Sequence, residues 1–289
     1  MAIKKPLGER IFGVFNIFFM LILLFIVLYP LYYFIIASVS NPLDLARGMV
    51  RFTPSGFELA SYRIVSETPF FWSSYANSVF YATVGTAFSM VLTVLGGYAL
   101  SKRRLRGRKF FTFLILLHMW FGAGMVPHFL NFRNLGLLDT RAAIILAFAV
   151  STFNVILMRV FFENVPESLE ESAKIDGAKD LRILGVIYLP LSIPAIATVT
   201  MFYFIERWNA FFWPALLVSS PEKMPLQVLL RRMVVQARGV VDFDVGITEV
   251  SEQTVIYAAI VLSVIPLMCI YPFIQRFFVK GVMLGAIKG

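Results

Sequence analysis

The chain has 289 residues, room for one large domain or two small ones, but 59% of them are hydrophobic and only 15% charged, which excludes a soluble globular domain, a disordered chain, collagen and a coiled coil. Thirty Phe, eleven Tyr, four Trp and a mean hydropathy of +0.79 imply that lipid or other apolar segments solvate most of it. The formal net charge of +9 would point to nucleic acid in a soluble chain, so its placement decides its meaning; one Cys and two His leave too few soft ligands for redox or zinc chemistry.

A membrane helix needs about 20 uncharged residues, and charge-free runs predict six spans, at about 11–39, 73–101, 110–131, 142–162, 186–217 and 253–277. Lys4, Lys5 and Arg10 precede the first run as in a secretory signal, yet Ile11 to Val39 is far longer than the ~7–15 apolar residues of a signal core. It is expected to stay as an anchor. With both termini cytoplasmic, sixteen Lys and Arg and seven Asp and Glu fall inside, while ten of each fall outside. The Lys102 to Lys109 cluster dominates that bias, so the net charge reads as orientation and not as a nucleic-acid surface.

His118 and His128 fall on the third span ten residues apart, in neither a ligand pair nor a proton relay, and read as packing residues. Gly96-Gly97 on the second span permits close helix approach. Pro30, Pro127, Pro194, Pro266 and Pro272 predict kinks.

Between the fourth and fifth spans, residues 163–185 are polar but patterned. Pro166 suits a first helical position, Glu167, Glu170 and Glu171 favour the positive end of a helix dipole, and Gly177 supplies a stop. These predict a short helix from Pro166 to Asp176 and a second helical piece entering the membrane near Ile187. Leu169, Ala173 and Asp176 share one face of it, with Glu167, Glu170, Glu171 and Lys174 mainly on others. On these features alone a solvated linker remains an alternative.

The spacing goes further. Glu171-Ser172-Ala173, three residues, Gly177, nine residues, then Ile187-Tyr188-Leu189-Pro190 resembles the EAA loop of ABC importer permeases, departing from it only in Ser172 where Ala is usual. The resemblance implies an all-α membrane protein, one permease domain over 1–289 with the six-span type I importer fold, in the bacterial cytoplasmic (inner) membrane. It implies that 163–185 is a coupling loop seated in a groove of an ATPase subunit, with Glu171, Ser172, Ala173, Asp176, Gly177, Leu189 and Pro190 as its coupling residues. ATP and Mg would then act on a partner ATPase dimer, with no cofactor on this chain; the other partners would be a second permease subunit, an extracytoplasmic solute-binding protein and lipid, with no nucleic acid.

The segments Asn134-Leu135-Gly136-Leu137-Leu138-Asp139-Thr140, Asp176-Gly177-Ala178 and Trp208-Asn209, and the chain end from Gln275 through Gly285-Ala286-Ile287-Lys288-Gly289, look like the second permease subunit of maltose-type sugar importers, nearest to permeases for polysaccharide-derived oligosaccharides. That likeness implies an ATPase-contacting tail carrying Gly285, Lys288 and Gly289, and a cargo that is an oligosaccharide, acidic or neutral.

The outer loop 219–252 carries Pro225, which can open an amphipathic helix with Leu226, Leu229, Leu230, Met233 and Ala237 on one face and Gln227, Arg231 and Arg232 turned away. It is either a packed lid or, by the resemblance, a binding-protein contact through Arg231 and Arg232. At the end of the fifth span, Glu206, Arg207, Trp208 and Asn209 are candidates for a sugar path, because sugar faces stack on rings and hydroxyls hydrogen-bond to polar groups. An interfacial ion pair and aromatic belt explains the same residues, although Asn209 fits lipid poorly.

There is no Walker A phosphate loop, no HExxH and no defensible catalytic triad or carboxylate pair, so an enzyme is a poor fit. An ion-coupled secondary transporter or channel is the alternative class; it would call for ionisable residues at mid-membrane.

Overall fold

The computed structural model describes residues 7–236 and 249–286. All regular elements among the described residues are helical. In chain order they are α1 (Leu7–Ser38), α2 (Pro42–Ala46), α3 (Ala60–Glu67), α4 (Phe71–Ser101), α5 (Arg108–Trp120), α6 (Met125–Asn134), α7 (Arg141–Leu146), α8 (Thr152–Glu163) and α9 (Glu167–Ile175). There follow α10 (Asp180–Ile183), a π-helical turn (Leu184–Tyr188), α11 (Leu189–Leu191), α12 (Ile193–Trp208), α13 (Phe212–Leu217), a 3-10 turn (Pro221–Lys223), α14 (Leu226–Gln236) and α15 (Glu249–Ala286).

Three helices are long and apolar enough to cross a membrane unaided, Ile11–Ser38, Phe71–Ser101 and Glu252–Pro272, and the number becomes five if two bent pairs each count once. The third predicted span, 110–131, is one such pair, α5 and α6, bent by 113°. Gly122 and Gly124 occupy the break, and Gly124, the residue that opens α6, adopts φ +83°, a conformation that costs little only in glycine. The fifth, 186–217, bends by 87° at Ser192, where Pro190 and Pro194 on either side cannot donate to the helix ladder, and stops again after Trp208. The fourth, 142–162, is not one helix: α7 and α8 are separated by five residues, Phe148 among them at φ +52°, and the Ser151 hydroxyl caps α8. Hydropathy reports where the chain is apolar, not where its backbone breaks. Pro266 and Pro272, by contrast, lie inside an unbroken α15.

The chain forms two compact units, Met1–Pro69 with Arg232–Val264, and Phe70–Arg231 with Ile265–Gly289. In the first, the end of α1 packs Ile36 and Ala37 against Leu45 and Val50, with Tyr33 and Tyr257 over them. Asn41 caps α2 through the Leu43 amide and donates to Glu58, so the turn after α1 is pinned on both sides. The most apolar window of α1 is wholly exposed, as a lipid-facing helix requires.

In the second unit α4 is the axis, packed chiefly against α8 and α12. Its inward stripe, Ser74, Ser78, Ala82, Gly85, Ser89, Thr93 and Gly97, is made of small residues that let backbones approach. A Cβ on Gly97 would lie 2.9 Å from Met158 Cβ and 3.2 Å from the Arg159 amide nitrogen, whereas one on Gly96 would make an ordinary 3.8 Å contact with Val155. Close approach therefore rests on Gly97. Around it Tyr98, Met158, Phe162, Ile183, Leu184, Tyr188, Val199 and Tyr203 form the main core.

Candidate functional site

The loop helix α9 is bounded by the residues that its sequence nominates, with one shift. Pro166 is the N-cap (φ −57°, ψ 127°) and not the first helical residue. At the other end Gly177 takes φ +79°, its N–H donates to the Lys174 carbonyl (2.9 Å) and the Ala178 N–H to the Ala173 carbonyl (2.9 Å). This is a Schellman closure, in which a left-handed residue lets two amides turn back onto the last carbonyls. Ala173 and Ala178 both pack on the main core, so the closure also seats the helix.

Which face of α9 turns inward differs from its hydrophobic pattern. Leu169 and Asp176 are exposed while Ala173 alone of that predicted trio packs inward, and Ile175 (87%) and Leu181 (73%) stand out in water. The residue that α9 buries is Glu170, 5% exposed. It accepts hydrogen bonds from Lys102 Nζ, from Lys174 Nζ at 2.5 Å and from the Tyr188 hydroxyl at 2.7 Å, with Arg104 at 3.6 Å. Lys102, just past the end of α4, lies 4.1 Å over the Tyr98 ring and 3.6 Å over the Tyr188 ring. The π-helical turn inserts an extra residue per turn there, and Tyr188 within it is 4% exposed.

Burial by itself would raise the Glu170 carboxyl, but the bonds from Lys102, Lys174 and Tyr188 outweigh it and hold the group at about 2. Burial pulls the Lys102 ammonium down, opposed by its bond to Glu170. The hydrogen bond that Arg104 donates to Asp180 leads the forces that hold its guanidinium above the ordinary value. Arg108 meets Glu163, which also accepts from Arg159 (2.8 Å), and Arg108 donates to the Leu100 carbonyl (2.7 Å). Three cations of the 102–109 cluster, an orientation signal in the sequence, thus clamp residues 163–180 to the end of α4. The available signal was complementary charge between the two loops.

The other coupling candidates sort by exposure. Glu171, Ser172, Asp176, Gly177 and Pro190 are exposed, while Ala173 and Leu189 pack against the core. Gly285 lies in the last turn of α15; Lys288 and Gly289 lie outside the described residues.

At the far end of α4, Asn77 donates to the Glu222 (2.7 Å) and Met224 (3.2 Å) carbonyls, Tyr81 to the Lys223 carbonyl (2.7 Å), and the Leu226 amide to Ser78 (2.7 Å). Asp139 accepts from the Ser219 and Ser220 amides (3.1 and 2.9 Å), the Ser220 hydroxyl (2.5 Å) and Lys223 (3.0 Å), which hold its carboxyl well below the usual range. The start of the 219–252 loop is thereby stapled down, with Leu226, Val228 and Leu230 buried. Arg231 and Arg232 are exposed, Arg231 5.8 Å over the Phe211 ring; Ala237 lies outside the described residues.

The four α12 candidates do not act as a group, because successive helical residues point about 100° apart. Glu206 and Asn209 are exposed, Trp208 is 1% exposed against Tyr75 and Phe204, and Arg207 turns inward. In this arrangement Trp208 is a packing residue. A cavity of about 230 Å³ opens beside Arg207, lined also by Phe148, Tyr203, Glu206, Phe211 and Trp213 among others. His128 packs between Phe148 (5.3 Å) and Trp213 (5.9 Å), whereas His118, on the separate helix α5, is exposed.

Residues 1–284 match the family model described as binding-protein-dependent transport system inner membrane component. The polygalacturonan/rhamnogalacturonan transport system permease protein YtcP of Bacillus subtilis is 41% identical over 97% of this chain and 99% of its own, and Protein LplC of the same organism 38% identical over 97% and 96%. A solved bacterial ABC transporter involved in the import of the acidic polysaccharide alginate contains a chain that superposes with a TM-score of 0.89 at 41% identity, over 96% of this chain and 100% of that one. With its helical architecture and near full-length matches, the chain belongs to the family of inner membrane components of binding-protein-dependent transport systems.

Proposed function

We propose that the chain is one of two permease subunits of an ATP-driven importer, and that its cargo is an acidic oligosaccharide handed over by an extracytoplasmic binding protein. The observation that carries this reading is the near full-length match to a permease named for polygalacturonan and rhamnogalacturonan and to a chain of an alginate importer. In it, six membrane crossings with both termini cytoplasmic are made by α1, α4, the bent pair α5–α6, the split pair α7–α8, the bent fifth segment and α15. The transport role is not enzymatic; ATP is bound and hydrolysed on partner subunits.

Helix α9 is then the coupling element on the cytoplasmic side. Its exposed Leu169, Ile175, Glu171 and Asp176 offer a short apolar and acidic ridge to an ATPase groove, while Glu170 roots the same helix on α4. A rigid helix so rooted transmits closure of the ATPases into the bundle. The tail residues Gly285, Lys288 and Gly289 are proposed to reach the same partners, and Arg231 and Arg232 the binding protein. Glu206 and Asn209, beside the aromatic cavity, are the proposed cargo contacts. The ion-coupled alternative gains nothing, since Glu170 is the one buried carboxylate among the described residues and it lies in the loop.

The test is the complex with partner permease, ATPases and binding protein in nanodiscs, assayed for cargo-stimulated ATP hydrolysis. Uronate oligosaccharides should stimulate it and neutral maltooligosaccharides should not. Equal stimulation by both would remove the acidic cargo, and uptake driven by an ion gradient without ATPases would remove the importer.

A further inference from the structure

The break between α7 and α8 leaves free helix ends against α4 and α12, where each backbone group turned away from water needs a partner. The last four carbonyls of α7 belong to Ala143, Ile144, Ile145 and Leu146. The Ala147 amide donates to the first (2.8 Å) and the Ala149 amide to the last (3.2 Å). The middle two are served from another helix: Arg207 of α12 donates from Nη1 to the Ile144 carbonyl and from Nη2 to the Ile145 carbonyl, both at 3.1 Å. Nη2 also donates to Ser89 Oγ on α4 at 2.8 Å. One turn earlier on α12, the Tyr203 hydroxyl accepts from the Ser151 amide at the start of α8 (2.9 Å) and shares a 2.7 Å hydrogen bond with Thr93 of α4. Both ends of the break are thus closed by one face of α12.

The slot for the guanidinium is built. A Cβ on Gly85 would lie 2.6 Å from Nη1 and 2.7 Å from Cζ of Arg207, and this side chain is pinned by three bonds and cannot swing aside freely. Among the described residues no carboxylate forms an ion pair with it. Between the two supports the chain passes through Phe148 at φ +52°, a strained conformation for a bulky residue that persists only where its surroundings impose it.

We infer that Tyr203 and Arg207 are positioning residues for transport: together they hold the break in the fourth crossing open, and the Arg207 charge serves backbone carbonyls and not the cargo. This rests on the permease reading for its transport consequence, but its structural half is read independently by hydrogen exchange.

The experiment compares Tyr203→Phe, Arg207→Met and Arg207→Lys with the unaltered chain in the full complex, following amide exchange over 141–155 together with cargo uptake. Tyr203→Phe should speed exchange at Ser151 about tenfold or more, the scale of one lost hydrogen bond, and Arg207→Met should loosen 147–151 and lower uptake. Arg207→Lys keeps a donor and should recover part of both, while exchange over 163–191 stays unchanged in all three. Unchanged exchange at 147–151 in Tyr203→Phe and Arg207→Met overturns the inference. Lost uptake in Arg207→Met with exchange unaltered assigns the arginine to cargo instead. Should Arg207→Met fail to assemble, Tyr203→Phe decides alone, since it removes a single oxygen.

Discussion

Two inward-turned charges hold irregular backbone against α4, and they are neutralised differently. Glu170 meets the ammonium groups of Lys102 and Lys174 and a tyrosine hydroxyl. Arg207 meets Ser89 and two carbonyl dipoles, with no ion-pair partner among the described residues. The first is a junction of opposite charges, in which removing one partner strands the other. The second is a helix cap supplied from a distance, in which removal strands only uncharged groups. A second substitution can therefore rescue the junction but has no means of rescuing the cap.

The largest effect is expected where a charge is stranded. Glu170→Leu should cost about 3–5 kcal/mol by leaving the Lys102 ammonium buried and unpaired, and adding Lys102→Met should recover most of it, since apolar replacement of a buried pair is often neutral. Denaturant unfolding of the purified chain in detergent reads both. A double variant no better than the single would make the junction and the cap alike.

Next in size is Gly97→Ala, on the α4 face between the two sites. The 2.9 Å clash with Met158 Cβ should cost about 1–3 kcal/mol and lower both sites together. Gly96→Ala, with its 3.8 Å contact, should instead be neutral or slightly stabilising in the same unfolding series. Gly177→Ala should cost about 1–2 kcal/mol for a left-handed alanine, loosening the end of α9 in hydrogen exchange while leaving 147–151 untouched.

Smallest in the physiological range is the effect of pH. The Glu170 carboxyl is depressed in the folded chain to about 2 from 4.5, so its contribution is fully present above about 4.5 and is lost as the pH falls toward 2. Replacing Glu170 by Gln should leave the pH dependence of the unfolding midpoint between pH 6 and 8 unchanged, whereas acid should selectively weaken the chain that keeps Glu.

The parts of this arrangement legible in the sequence are those written in local pattern. The runs of α1, α4 and α15 are plain in hydropathy, and Pro166 and Gly177 bound α9 because proline and glycine act on their own backbone. The breaks at Gly122–Gly124, Ser192 and 147–151 lie inside apolar runs, and what sustains the last is Arg207, some sixty residues on. Residue identity offers Arg207 as a cargo contact, because its acceptors in the fold are main-chain carbonyls, which leave no trace in the sequence. Helical pattern puts Glu170 in water with its acidic neighbours; it is buried only because Lys102, from a distant loop, arrives with Tyr188. Both arrangements rest on non-local charge compensation.

The most direct test of coupling through a rooted α9 is the number of cargo molecules imported per ATP hydrolysed, in nanodiscs holding the whole complex. Glu170→Leu should retain its ATPase subunits and hydrolyse ATP yet import several-fold less cargo per ATP, and Glu170→Leu with Lys102→Met should regain much of the ratio. An unaltered ratio in the single variant, with the junction's exchange protection lost, would contradict the role given to Glu170.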